Sequence, residues 1–225
     1  LVNRSATHSI IAGFRPDAVA DGIDGSSVEG LANQPYAIAH QSIEHHLERT
    51  HVPVWFWRSV GSSQNAFAIE SFVDEMAHAA GADPYAFRRS LLAKHPDFLK
   101  VLDTVAEKAE WGRKLPRGTA QGIAIHESFG SIAAQVAEVA VSKDGEVRVE
   151  RVVNAIDCGH TVNPMTIDAQ MQSGIVYGLS AAMWGRVDIV EGRAKQANFD
   201  DYRVLKLAEM PRVENHLALT GGDKW

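Results

Sequence analysis

The residues best equipped for chemistry sit in the run DCGHTVNP, Asp157–Pro164, where the chain's single cysteine stands two positions from His160. A nucleophilic cysteine needs a lowered thiol pKa, a base within reach and a third group to orient that base. Asp157 and His160 supply the ingredients, but side chains at i and i+2 of a strand–loop–helix connection need not converge. A zinc site asks for about four ligands, so one Cys, one His and one Asp fall short. The backbone offers more. Gly159 permits close approach, Thr161 brings a hydroxyl, and the N–H groups opening the next helix can face an anion. A plain capped helix entry has the same spacing.

Arg58 stands between Trp57 and a Gly61-Ser62-Ser63 bend. It reads either as a surface arginine stacked on an aromatic ring or as a clamp for developing negative charge or a carbonyl substrate. Gln170 falls two turns into a helix of small residues (Ala169, Gly174, Gly178, Ala182), where a ligand could approach the backbone. His40, His45, His46 and His51 cluster in sequence. In a strand over Gln41–Arg49, however, His45 and His46 point to opposite faces, as edge histidines do.

The elements that must hold these residues follow from periodicity. Ile69, Phe72, Val73, Met76 and Ala80 mark one face of a helix that stops at Gly81. Asp83-Pro84 opens a second helix with Phe87 and Leu91 inward. A third, from about Pro96, carries Phe98, Val101, Leu102 and Val105 and ends near Gly112. Strands follow over Gln121–Phe129, Gln135–Ser142 and Glu146–Asp157, the last two joined at Lys143-Asp144-Gly145. Asn163-Pro164 starts the small-residue helix, which runs to about Met183. A strand pair turns at Glu191-Gly192, and a last strand covers Arg212–Thr220. The fold class is α+β: a helical part over residues 1–118, then a strand-rich part over 119–225 with antiparallel strands packed around the glycine-rich helix.

Composition narrows the function. A net charge of −6 without a Lys/Arg-rich face argues against nucleic acid. One cysteine excludes an intrachain disulfide and a self-contained iron–sulfur cluster, so any electron relay belongs to another chain. No apolar run reaches the ~18 residues of a membrane span. No charged-then-apolar leader is seen, so the compartment, bacterial cytoplasm or periplasm, stays open. The start without Met and the stop soon after Gly221-Gly222, at an exposed-looking Trp225, read as a piece of a longer chain.

The run DCGHTVNPMTIDAQMQSGIVYGLSAAMWG resembles the D-x-G-x-x-x-N-P…Q-x-x-G segment of molybdenum hydroxylase large subunits, the xanthine dehydrogenase and aldehyde oxidoreductase family. FWRSVGSSQNAFAIESFVDEMAHAAGADPYAFRRSLL is similar to that family's arginine–glycine bend, following helix and D-P-x-x-x-R-x-x-L step. The stretches DGIDGSSVEGLANQPYAI, HESFGSIAAQVAEV and ANFDDYRVL look closest to its isoquinoline 1-oxidoreductase branch. The resemblance covers nearly the whole chain.

It implies a molybdopterin cytosine dinucleotide cofactor whose molybdenum hydroxylates N-heteroaromatics or oxidises aldehydes with water-derived oxygen. By the same resemblance Gln170 hydrogen-bonds the pterin or metal-ligand region and Arg58 lies beside the metal pocket. Asp157, Gly159 and Asn163 shape the loop at the cofactor-side helix start, and none of these residues is a metal ligand. Partners would be the rest of the large subunit, a small subunit with two 2Fe–2S clusters, and a cytochrome c as a candidate acceptor. Two positions depart from the family: its substrate-contacting aromatic is Val60 here, and the glycine before its glutamine is Ala169. The family's catalytic glutamate would follow LALTGGDKW, so this chain alone is expected to be inactive. A non-catalytic binding or assembly module of the same fold is the alternative, and a cysteine-dependent enzyme using Cys158 and His160 is a third.

Overall fold

The structure is a computed structural model that describes residues 1–19 and 21–221; the expectation for Trp225 lies outside them. The chain opens with β1 (Val2–Thr7), a short helix α1 (Ile11–Phe14) and a one-turn helix α2 (Gly25–Val28), which the Asp24 side chain caps by accepting the Ser26 N–H. Strand β2 (Ser42–Leu47) pairs with β1 in parallel. Three helices follow: α3 (Ser62–Ala79), α4 (Pro84–Leu91) and α5 (Pro96–Lys108). Then come β3 (Thr119–Ser128), β4 (Ser131–Val141) and β5 (Val147–Asp157), the long helix α6 (Pro164–Met183), a small hairpin of β6 (Ile189–Val190) and β7 (Arg193–Ala194), and β8 (Arg212–Leu217).

The helix boundaries follow local chemistry. Asp83 accepts the Ala86 N–H at 2.9 Å and Pro84 takes the first helical position, where its missing N–H costs nothing. Helix α3 ends at Gly81, whose φ of +63° lets the Ala82 N–H reach back to the Ala77 carbonyl. Asn163 accepts the Met165 N–H at 3.0 Å and Pro164 opens α6. All four residues assigned inward on α5 are buried. On α3 the inward positions are Ile69, Val73 and Ala77, while Ala80 beyond the helix end is exposed. On α4, Phe87 and Leu91 pack only partly, and the fully buried side chain is Arg88.

The main sheet has the order β3-β4-β5-β8. Its first two pairings are antiparallel, as the short turns joining β3 to β4 and β4 to β5 imply, but β8 runs parallel to β5, and β1 and β2 are parallel as well. A parallel pair needs a crossover, usually helical, and here α6 lies in that crossover. Ile123, Ile125, Ala134, Val136, Val153 and Ala155 point to one face and join residues of α3 and α5 in a single apolar cluster. The other face carries Gln135, Asn154 and Asn215 in register. The Gln135 amide donates to Asn154, and the Asn215 amide donates to the Asp168 carboxylate of α6 at 2.6 Å. That last bond ties α6 to the edge strand β8.

Strand β2 is polar and alternating. His45 faces Thr7, with Nε2 2.8 Å from its hydroxyl, while exposed His46 lies on the other side near Glu48. Among the described residues no three of His, Cys, Asp or Glu gather as a metal site would require. No helix of the described residues is long and apolar enough to cross a membrane.

Candidate cofactor and substrate site

Two elements meet at the site: the bend that ends at α3 and the outward face of α6. In the bend, Ser59 (φ +66°) and Val60 (φ +48°) both take the left-handed conformation, which is costly for a β-branched residue such as Val60. Hydroxyls brace it. Ser63 Oγ donates to the Arg58 carbonyl at 2.8 Å, Ser59 Oγ donates to the same oxygen at 2.5 Å, and the two hydroxyls are 2.8 Å apart. The Arg58 side chain therefore leaves a fixed backbone, and its guanidinium carbon lies 4.9 Å from the centre of the Tyr177 ring, within cation–π range.

Tyr177 is on α6, seven residues beyond Gln170, which in turn is seven beyond Asn163. Seven residues are nearly two full turns, so Gln170 and Tyr177 share one stripe with about 10 Å of helix axis between them, and Asn163, with extended backbone, caps the start of the same helix. Gln170 is exposed. A side-chain carbon built on Gly174 or Gly178 would meet nothing within 4 Å, so open space lies beside this stretch of backbone. The structure thus brings Arg58 and Gln170 to one side of α6, with Asn163 at the start of that helix.

Asp157 and Gly159 form the loop at the start of that helix. Asp157 is buried, and one carboxylate oxygen accepts the Gly159 N–H at 3.0 Å. The other accepts the backbone N–H of Thr220 at 3.2 Å and its hydroxyl. The carboxylate is thereby committed to tying this loop to the segment after β8. Gly159 has φ +77°, a conformation glycine adopts freely. Thr161 presents a buried hydroxyl with no hydrogen-bond partner among the described residues. Burial, and then the neighbouring Asp157 charge, push the Cys158 thiol above its ordinary pKa. A reactive cysteine needs the opposite shift.

Below Tyr177 lies a cavity of about 490 Å³, whose walls include Trp57, Tyr177, Val187, Phe199, Tyr202 and Val204. The segment carrying Phe199 and Tyr202 is held in place at both ends. Asp201 accepts the N–H groups of Ala197 and Asn198, and Ser180 Oγ on α6 accepts the Leu205 N–H at 2.9 Å. Tyr177 and this aromatic wall were not legible in the sequence as site residues. The aromatics in ANFDDYRVL were the only signal.

Such a face offers hydrogen bonds, a cation and approachable backbone. A family profile described as "Molybdopterin cofactor-binding domain" matches residues 41–211, and the chain belongs to that family. It is 34% identical over 189 residues to the beta subunit of isoquinoline 1-oxidoreductase from Brevundimonas diminuta, an alignment covering 82% of this chain and 24% of that one. It is 31% identical over 198 residues to a nicotinate dehydrogenase subunit of Pseudomonas putida, covering 80% of this chain and 17% of that one. The chain thus spans at most a quarter of the length of these relatives. Among solved structures, the aldehyde oxidoreductase of Desulfovibrio gigas superposes with a TM-score of 0.59 over 82% of this chain and 38% of that one, at 12% identity, which is a likeness of fold.

Proposed function

We propose that this chain forms one wall of the molybdopterin site in the large subunit of an oxidoreductase that hydroxylates N-heteroaromatics or oxidises aldehydes. The observation that carries this reading is the single face of α6 on which Gln170 and Tyr177 align with Arg58 stacked above. When bound, the molybdenum cofactor, in its cytosine dinucleotide form, would take up the substrate's electron pair and deliver an oxygen derived from water. The groups present fit it. Gln170 has an exposed amide to donate to and accept from the pterin. Gly174 and Gly178 leave room for a ring system against the helix, and Thr161 has a hydroxyl to spare.

Within that frame the roles divide. Gln170 orients the cofactor, while the loop with Asp157 and Gly159 sets where α6 begins. Arg58, held by Tyr177, presents a fixed positive charge to a carbonyl or heteroaromatic nitrogen, which favours negative charge developing there. Val60, in place of an aromatic, leaves a wider approach. The general base that such a hydroxylation requires is assigned to the rest of the large subunit. Electrons leave through a partner carrying 2Fe–2S clusters, with a cytochrome c as the acceptor beyond it, in the bacterial cytoplasm or periplasm.

The test is the metal content and activity of the complete complex. Plasma mass spectrometry should find molybdenum, and Gln170→Ala should lower the bound molybdenum and pterin. Full activity from a molybdenum-free complex overturns the reading.

A further inference from the structure

We propose that Glu29 is a positioning residue for Arg58: its carboxylate caps α3 from outside the helix and locks the downstream end of the strained bend. The part concerning catalysis rests on the role given to Arg58 above. The first N–H groups of a helix have no partner inside it, and a Ser, Thr, Asp or Asn at the N-cap usually supplies one. In α3 the N-cap is Gly61, which has no side chain to do so. Glu29, 32 residues earlier in sequence, serves the N–H groups of the N-cap and of the first helical residue instead. Its Oε1 accepts the Gly61 N–H at 2.9 Å and the Ser62 N–H at 3.4 Å, and a carboxylate at a helix N-terminus also gains from the helix dipole.

Glu29 is itself immobilised. The Asn65 side-chain amide, one turn into α3, donates to the carbonyls of both Ser27 and Glu29 at 2.9 Å. A side-chain carbon on Gly61 would lie 2.1 Å from the Ser26 carbonyl oxygen, so segment 26–29 is pressed directly against the bend. Behind it, Gly30 has φ +81°, and a side-chain carbon there would lie 2.8 Å from the His126 ring. The left-handed pair Ser59-Val60 is therefore held at both ends: the serine hydroxyls fix the Arg58 carbonyl, and Glu29 fixes Gly61 and Ser62. Strained left-handed residues persist only where the surroundings over-determine them. Without Glu29 the bend loses its charged anchor, and the Arg58 guanidinium loses its fixed station over Tyr177.

The experiment uses the intact molybdenum-loaded complex with Glu29→Ala, Glu29→Gln, Arg58→Ala and the Glu29→Ala/Arg58→Ala double variant. Hydrogen exchange read by mass spectrometry should be at least about tenfold faster for the Gly61 and Ser62 amides in Glu29→Ala, since their hydrogen bonds to a charged acceptor are lost. Glu29→Gln keeps an acceptor oxygen and should restore most of that protection. It also serves as the comparison if Glu29→Ala fails to accumulate. Glu29→Ala should lower kcat/KM in the same sense as Arg58→Ala, and the double variant should be no worse than Arg58→Ala alone. Unchanged exchange in Glu29→Ala, or losses in kcat/KM that multiply in the double variant, would overturn the proposal. A wild-type complex without molybdenum-dependent turnover would overturn the role of Arg58 instead, and exchange would still decide whether Glu29 holds the bend.

Discussion

Replacing Arg88 by Met should be among the most damaging single substitutions in this chain, because it strands a buried carboxylate. Arg88 has no exposed side-chain surface. Its Nε donates to Glu70 Oε2 at 2.9 Å, Nη2 to the Glu70 carbonyl at 3.0 Å, and Nη1 to Asp74 Oδ1 at 2.5 Å and the Pro84 carbonyl at 3.3 Å. Glu70 also receives the Tyr36 hydroxyl at 2.6 Å and the Ile125 N–H at 2.9 Å. One carboxylate thus joins α3, α4, β3 and the N-terminal segment. Met matches the length of the apolar stem and removes the cation, so the cost is the unpaired buried charge, about 3–5 kcal/mol. At about 2–4 °C per kcal/mol for a domain of this size, that is a fall of roughly 6–20 °C in melting temperature.

Calorimetry of the purified subunit measures it. Adding Glu70→Gln removes the stranded charge while keeping a carbonyl oxygen for the Ile125 N–H and turning an amide N–H to the Tyr36 hydroxyl oxygen, so the double variant should be more stable than Arg88→Met alone. The reasoning is refuted if Arg88→Met costs under about 1 kcal/mol, or if the double variant is the less stable of the two. Arg88→Lys should also be poorly tolerated, since an ammonium cannot reproduce the guanidinium fork.

Two further outcomes are expected. Cys158→Ala should leave turnover unchanged, and alkylation of Cys158 near neutral pH should be slow, because its thiol pKa is pushed up by burial and then by Asp157; loss of activity in this variant would return the cysteine to the catalytic site. Glu138 is buried, which raises its carboxyl pKa, but hydrogen bonds from Arg113 and Arg151 outweigh that and hold it below the ordinary value. Its contribution is therefore present above the unfolded value of about 4.3 and lost as pH falls through the folded one. Glu138→Gln should lower stability near pH 7 and flatten the acid side of the melting-temperature profile, and an unchanged slope would refute this.

Much of the local architecture was readable because its causes are local. Asp83-Pro84 and Asn163-Pro164 carry a cap and a preset backbone angle within two residues, so both helix starts lie where the sequence places them. The period of α5 survives because one side of it is wholly apolar core. The α4 reading faltered at Arg88 for a physical reason: a cation buries only when carboxylates from other elements meet it, and no periodicity reports their arrival. The direction of β8 was hidden for a similar reason, since alternation in a strand is the same whether its neighbour runs parallel or antiparallel.

The candidate site divides along the same line. Its residue types and order, from Arg58 before the Gly-Ser bend to Asn163 and Gln170 on the small-residue helix, are properties of the sequence alone, and they sufficed to indicate a molybdopterin-binding family. That Arg58 stacks on Tyr177, that Asp157 spends its carboxylate on Gly159 and Thr220, and that Glu29 caps a helix 32 residues away came only with the tertiary structure. All but the local Asp157–Gly159 bond depend on how elements distant in sequence turn against one another. That orientation is set by packing and by long-range bonds such as Asn215 to Asp168, and short stretches of sequence do not encode it.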